Sequence, residues 1–116
     1  MTAARPALLL LLALAPLPAA AHAILIASAP AIDGHVPAGT VALTLRYNSR
    51  IDRGRSRLTF TRPDQTQAVL PIAADGPDDS LAATARLAPG AYSVRWQVLA
   101  IDGHITRGDV PFTVTP

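Results

Sequence analysis

Two histidines and one aspartate are the residues of this chain best suited to bind a metal ion. His22 directly follows the alanine stretch 19–21, and Asp102 and His104 are separated by a single residue near the other end. If the chain is cleaved after this alanine stretch, His22 gains a free α-amine and offers two nitrogen donors that can chelate one metal ion. Nitrogen and oxygen donors without sulfur favour tetragonal Cu(II). The sequence therefore predicts one Cu(II) site that uses His22, Asp102 and His104.

The segment before His22 has the composition of a secretory leader. Arg5 supplies a positive charge, a leucine-rich run over residues 8–15 supplies the apolar part, and the small residues 19–21 supply a cleavage site. The apolar run is too short for a membrane span, which needs roughly 20 residues. We expect residues 1–21 to be a cleaved signal peptide. Residues 22–116 then form one small exported domain without a membrane span.

Sulfur ligands are excluded by the composition. The chain has no cysteine, and Met1 is its single methionine. Thiolate zinc sites, blue-copper sites and cysteine nucleophiles are therefore ruled out. Because Met1 belongs to the predicted leader, residues 22–116 contain no thioether either. This donor set favours Cu(II) over Cu(I).

The charge balance gives no reason to expect a nucleic-acid partner. Arginine supplies all ten basic residues and aspartate all eight acidic ones, for a formal net charge of +2. Five arginines cluster between residues 46 and 57, which raises the alternative of a nucleic-acid or anionic-membrane patch. Few aromatics and a near-neutral balance argue against it. We interpret the cluster as a solvated strand edge that discourages pairing between sheets.

Alternation of apolar and polar residues predicts an all-β domain. Seven strands are predicted at residues 24–26, 41–47, 57–61, 69–72, 81–87, 92–98 and 110–114. Pro71 assigns the fourth of them to a sheet edge. Turns rich in Pro, Gly and Asp separate the strands. This spacing indicates a seven-stranded Greek-key, immunoglobulin-like sandwich or barrel.

Tyr92 carries a more local prediction. It follows the turn residues Pro89 and Gly90 at the start of a strongly apolar strand. This arrangement predicts a tyrosine corner, in which the hydroxyl group bonds to the backbone upstream.

The pentapeptide Ala-Ile-Asp-Gly-His occurs twice, at residues 31–35 and 100–104. Nothing around the two copies repeats, so a duplicated domain is not indicated. In the second copy, an extended backbone would project Asp102 and His104 from the same face. In the first copy, His35 is expected to be a solvated loop histidine, with an accessory metal ligand as the alternative.

Taken together, these residues resemble the CopC family of periplasmic copper-resistance proteins. The resemblance runs through His22-Ala23, residues 28–31, residues 41–47, the turn 89–92, Trp96, residues 102–104, Gly108 and residues 112–114. It implies a periplasmic Greek-key β-domain that binds Cu(II) through the amine and imidazole of His22 and through His104. It also implies Asp102 as a weaker oxygen donor, and an inner-membrane copper transporter of the CopD type as a partner.

The sequence departs from the family pattern at three places. The methionine-rich Cu(I) loop of some members is missing, so the chain resembles the Cu(II)-only type. Ile105 stands where proline commonly follows Asp-Gly-His, and residues 46–49 replace a stretch that often carries an acidic residue. The sequence therefore does not define which residue would hydrogen-bond to the metal ligands.

We expect a copper-binding protein for resistance, buffering or delivery, and not an enzyme. One alternative is a copper-dependent oxidative enzyme, because polysaccharide monooxygenases also bind copper through an N-terminal histidine. The other alternative is an immunoglobulin-like interaction module without a metal, in which His22 is incidental.

Overall fold

The computed structural model describes residues 22–116, and the predicted signal peptide, residues 1–21, lies outside the described residues. The described part contains eight strands and no α-helix. They are β1 (Leu25–Ala29), β2 (Gly34–Pro37), β3 (Gly39–Tyr47), β4 (Ile51–Thr61), β5 (Gln67–Leu70), β6 (Ser80–Leu87), β7 (Gly90–Ala100) and β8 (Ile105–Thr115). Over this range, no helix is long and apolar enough to cross a membrane. The all-β prediction is confirmed.

The strands form two sheets that pack face to face. One sheet has the order β1-β3-β6, and the other has the order β2-β8-β7-β4-β5. Successive strands alternate between the sheets at five crossings, while β4-β5 and β7-β8 are neighbours within one sheet. This is the two-sheet, immunoglobulin-like sandwich that the spacing of strands and turns predicts. The sequence analysis assigned the strand near Pro71 to a sheet edge. This prediction is also confirmed, since β5 is the last strand of its sheet.

The strand that the sequence does not predict is β2. It pairs in parallel with the end of β8, with His35 opposite Thr113 and Val36 opposite Val114. The amide of Asp33 donates to the carbonyl of Pro111 at 2.7 Å and starts this pairing. A four-residue edge strand that ends in proline is too short to show an alternating pattern. The predicted loop around His35 is therefore an edge strand.

The core lies between the sheets and contains the inward side chains of the alternating strands. In β3 the buried side chains are Val41, Leu43, Leu45 and Tyr47, as the alternation predicts. The aromatic residues of the chain are all buried: Tyr47, Phe60, Tyr92, Trp96 and Phe112. The hydroxyl of Tyr92 donates to the carbonyl of Ala88 at 2.8 Å, which confirms the tyrosine corner.

Most of the arginine cluster lies in the first half of β4, and β5 pairs only with the second half of that strand, at Leu58–Thr61. The pairing of β4 with β7 shifts between Asp52 and Arg57, where the chain bulges. Within this bulge, Arg53 donates to carbonyl oxygens of the loop 74–80 at 2.6 to 3.5 Å. The cluster therefore lies along a stretch of β4 that β5 does not cover, as the edge interpretation predicts, and Arg53 fastens a long loop to the sheet there.

Candidate metal centre

The three residues predicted to bind metal lie at one end of the sandwich, which we call the histidine pole (His22, Asp102 and His104). His22 precedes β1, whereas Asp102 and His104 belong to the turn between β7 and β8. The rings of His22 and His104 meet edge to face, with centroids 4.9 Å apart and planes at 64°. All three residues are exposed. The fold thus brings the two ends of the predicted site together at a surface that a metal ion can reach.

Asp102 and His104 lie in a tight turn, not in the extended backbone that the sequence suggested. The amide of Gly103 donates to the carbonyl of Ala100 at 2.9 Å, and the amide of Ala100 donates to the carbonyl of His104 at 2.8 Å. Gly103 has φ of 93°, a left-handed conformation that favours glycine. The reason for the difference is topological, because β7 and β8 are adjacent antiparallel strands and their connection must reverse direction.

The carboxylate of Asp102 holds His104 through both of its oxygens. Oδ1 accepts from the His104 amide at 3.1 Å, and Oδ2 lies 2.8 Å from the His104 ring Nδ1. A carboxylate at Nδ1 favours the tautomer with its proton on that nitrogen, which leaves Nε2 as a free donor for a metal. In this arrangement Asp102 orients His104.

The same contacts set the ionisation of Asp102. Partial desolvation raises the pKa of its carboxyl group. The hydrogen bonds from the amide and ring of His104 and the charge of that ring lower it by more, so the pKa of Asp102 lies below its ordinary value of 3.8. The carboxylate form that accepts these bonds is therefore stabilised.

His22 is followed by two residues that the fold holds firmly. Ala23 is fully buried, and its carbonyl accepts from the hydroxyl of Thr106 at 2.8 Å. The amide of Ile24 donates to the side-chain Oδ1 of Asn48 at 2.8 Å, and the amide of Asn48 donates back to the carbonyl of Ile24 at 3.0 Å. Sequence reasoning missed Asn48 and Thr106, and neither residue stands out by type or spacing.

The core beneath the histidine pole is built around Trp96. Its ring meets Tyr47 edge to face at a centroid distance of 5.2 Å. On its other side the ring covers Gly108, where a Cβ atom would lie 2.5 Å from it. A residue larger than glycine would therefore displace the tryptophan. Ala23, Trp96 and Gly108 line one apolar groove, so this packing supports the start of β1.

The third histidine lies far from this pole. His35 pairs with Thr113, which is nine residues beyond His104 along the chain and most of the length of β8 away. At about 3.3 Å per residue, this separation is roughly 30 Å. The alternative of His35 as an accessory ligand of the same site is therefore wrong.

Within residues 22–116, no three side chains of His, Cys, Asp or Glu are grouped as a ready-made metal site. The histidine pole presents two imidazoles, together with a carboxylate already bonded to one of them. The histidine pole therefore brings two imidazoles and one carboxylate side by side.

Comparison with known proteins places this architecture in a family. The family model for the CopC domain matches residues 25–115. The chain belongs to the CopC family. Protein YobA of Escherichia coli K12 is 33% identical over 109 residues, which cover 81% of this chain and 79% of YobA. The resemblance to the CopC family that the sequence motifs carry is confirmed.

Two solved structures support the CopC fold. The crystal structure of CopC from Methylosinus trichosporium OB3b matches with a TM-score of 0.71 and 28% identity, over 82% of this chain and 95% of that protein. PcoC, a methionine-rich copper resistance protein from Escherichia coli, matches with a TM-score of 0.66 and 24% identity, over 82% of this chain and all of PcoC. The second match is evidence of a common fold alone.

Proposed function

We propose that residues 22–116 bind one Cu(II) ion at the histidine pole and serve to buffer or deliver copper in the periplasm. The ion is the cargo of the protein. Its donors would be the α-amine and imidazole of His22 and the imidazole of His104. Asp102 would hold His104 in place and would be the weaker oxygen donor to the ion. This proposal requires that the leader, residues 1–21, is removed.

The contact between His22 and His104 is the observation that carries the proposal. Their exposed rings come from opposite ends of the domain's sequence and lie 4.9 Å apart between centroids. The hydrogen bond at Nδ1 of His104 leaves Nε2 available. An amine and two imidazoles supply three nitrogen donors, a set that Cu(II) binds in preference to the other common divalent ions.

The lack of sulfur supports Cu(II) as the oxidation state. The chain has no cysteine, and its single methionine, Met1, lies in the predicted leader. PcoC, by contrast, is described as methionine-rich. Because soft sulfur ligands favour Cu(I), a domain without them should hold Cu(I) poorly.

A carrier fits the surface of the domain better than an enzyme acting on polysaccharides. Such enzymes bind their substrate on a flat face that offers exposed aromatic rings. Here all five aromatic side chains are buried in the core. An inner-membrane transporter of the CopD type remains the proposed recipient or donor of the copper, on the basis of family membership.

A comparison of two N-termini tests the proposal. The processed protein, which begins at His22, is titrated with Cu(II) beside a version that carries one additional glycine before His22. The added residue converts the amine into an amide and leaves both imidazoles intact. We expect a tetragonal, nitrogen-rich electron paramagnetic resonance spectrum for the processed protein. The glycine version should bind at least about tenfold more weakly, a loss of about 1.4 kcal/mol.

The proposal fails if the processed protein binds no Cu(II), or if both proteins give the same affinity and spectrum. Competition with Cu(I) provides a second test. Equal affinity for Cu(I) and Cu(II) would contradict the assignment of oxidation state.

A further inference from the structure

We propose that Asn48 and Thr106 are positioning residues that hold His22 where its two nitrogens can reach the metal. This inference rests on the proposed function, because it concerns the same site. Neither side chain would touch the copper ion. Each acts on the backbone of the two residues that follow His22, and we call Asn48 and Thr106 the N-terminal clamp.

The clamp holds the chain from two different elements. Thr106 belongs to β8 and donates its hydroxyl to the carbonyl of Ala23 at 2.8 Å. Asn48 follows β3 in the opposite sheet and accepts the amide of Ile24 through Oδ1 at 2.8 Å. The start of the domain is thus bonded to both sheets of the sandwich. The buried methyl group of Ala23 adds a third point of attachment.

These contacts leave little freedom between the fold and the predicted ligand. With Ala23 and Ile24 fixed, the position of the His22 nitrogens depends mainly on the torsion angles of His22 itself. A chain end without such contacts samples many conformations. The apparent affinity of a ligand falls in proportion to the fraction of protein that is competent to bind it. The clamp should therefore strengthen copper binding by keeping this fraction high.

The clamp is suited to position the metal ligands without competing with them. Oδ1 of Asn48 is already occupied by the amide of Ile24, and the hydroxyl of Thr106 is already donated to a carbonyl. Both side chains are uncharged, so they do not attract the ion themselves. Their removal should therefore change how tightly copper binds and not which atoms bind it.

The test uses processed protein that begins at His22, with the substitutions Thr106→Val and Asn48→Ala. A net hydrogen bond is worth about 1 kcal/mol, which is about fivefold in an equilibrium constant. We expect each substitution to weaken Cu(II) binding by about fivefold, and the two together by about 25-fold. Thr106→Ser keeps the hydroxyl and should restore the affinity of the natural protein.

Thr115→Val is the matched control. The hydroxyl of Thr115 also donates to a backbone carbonyl of a neighbouring strand, that of Val36 at 3.3 Å, but at the other end of β8. This substitution should leave the affinity unchanged. Thermal unfolding of all variants shows which losses of Cu(II) affinity come from general destabilisation of the fold.

Two spectroscopic measurements separate positioning from other effects. At saturating Cu(II), the electron paramagnetic resonance spectra of the clamp variants should match that of the natural protein, because the ligand set is retained. In the copper-free protein, the amide of Ile24 should exchange with solvent faster after Asn48→Ala than after Thr115→Val.

The possible outcomes distinguish this inference from the proposed function. If the natural protein binds Cu(II) and the clamp variants bind it as tightly as the Thr115→Val protein, the clamp is overturned and the proposed function stands. A changed spectrum at saturation, or no rescue by Thr106→Ser, would also overturn it. If the natural protein binds no Cu(II), both proposals fall together.

Discussion

The two Ala-Ile-Asp-Gly-His segments have identical sequences and different structures. Both begin with the same turn, because the glycine amide donates to the carbonyl of the alanine three residues earlier. This bond is 2.8 Å long from Gly34 to Ala31 and 2.9 Å long from Gly103 to Ala100. The local sequence therefore determines the first step in the same way at both places.

The segments diverge at the aspartate and the glycine. In the first copy Asp33 has the left-handed conformation, with φ of 61°, and its amide bonds to Pro111. The chain then enters β2, and His35 extends along the sheet edge. In the second copy Gly103 is left-handed, and both oxygens of Asp102 contact His104. Only the second histidine is held beside its aspartate.

The difference shows that a short motif does not define a binding site by itself. The second segment joins two long antiparallel neighbours, so its chain must reverse within the turn. The first segment leads into β2, which runs parallel to β8, so its chain continues as an extended strand after the turn. In addition, the start of the domain lies beside His104 and about 30 Å from His35. The partners available in space, and not the five residues, separate a candidate metal centre from a surface strand.

The largest expected effect comes from removing each histidine in turn. His104→Ala deletes a proposed nitrogen donor and should weaken Cu(II) binding by more than about a hundredfold, beyond the 10–100-fold typical of outer-shell partners. His35→Ala should leave the affinity unchanged. Competition titration of the two processed proteins checks this difference. Equal losses would mean that the ligand set at the histidine pole is wrong.

Removing the charge of each aspartate sharpens the comparison. Asp102→Asn weakens the contact that orients His104, and we expect a loss of about 10- to 100-fold in Cu(II) affinity. Asp33→Asn should have no effect on copper, since asparagine also tolerates the left-handed conformation. Both affinities can be measured with the same competing chelator. A variant with Asn at position 102 that binds copper normally would exclude a role for this carboxylate.

Substitution of the glycine in each segment should destabilise the domain, for a different reason at each position. Gly103→Ala places a side chain at φ of 93° and should destabilise the domain by about 1–2 kcal/mol. Gly34→Ala would bring a Cβ atom within 2.9 Å of the carbonyl oxygen of Ala31, so the backbone must shift. Asparagine should relieve the loss at position 103 but not at position 34. Chemical denaturation measures these stabilities, and equal behaviour at the two positions would contradict this assignment.

The smallest expected effect concerns pH. The pKa of Asp102 is lower in the folded protein than its ordinary value, so the contacts of its carboxylate with His104 stabilise the fold above about pH 4. This contribution is lost as the pH falls through the lowered folded pKa. Carboxyl chemical shifts should report an Asp102 titration below 3.8. The Asp102→Asn protein should lack this part of the acid dependence, and a titration at or above 3.8 would show that the contact with His104 is absent in solution.

Much of the fold could be predicted from the sequence, because the alternation of apolar and polar residues indicates directly which side chains are buried. The strands around Leu43, Val94 and Phe112 follow the period-two rule, and each has its apolar side chains in the core. Tyr92 also formed the predicted corner, since a turn and a nearby carbonyl are local features. The edge strand β2 escaped prediction because its four residues pair with a strand distant in sequence.

For the candidate site, the sequence by itself determined the chemistry that is available. Residue types fix which atoms can donate, so nitrogen and oxygen ligands without sulfur follow from composition alone. The order of residues also fixed the turn that starts each Ala-Ile-Asp-Gly-His segment.

Only the tertiary structure decided which of these donors meet. The contact of His22 with His104, the separation of His35 from both, and the attachment of the chain start to Asn48 and Thr106 all join residues that are distant in sequence. Such contacts depend on how the two sheets pack and on which strands are neighbours. No pattern of nearby residues encodes them, because each is formed only after loops of many residues have closed.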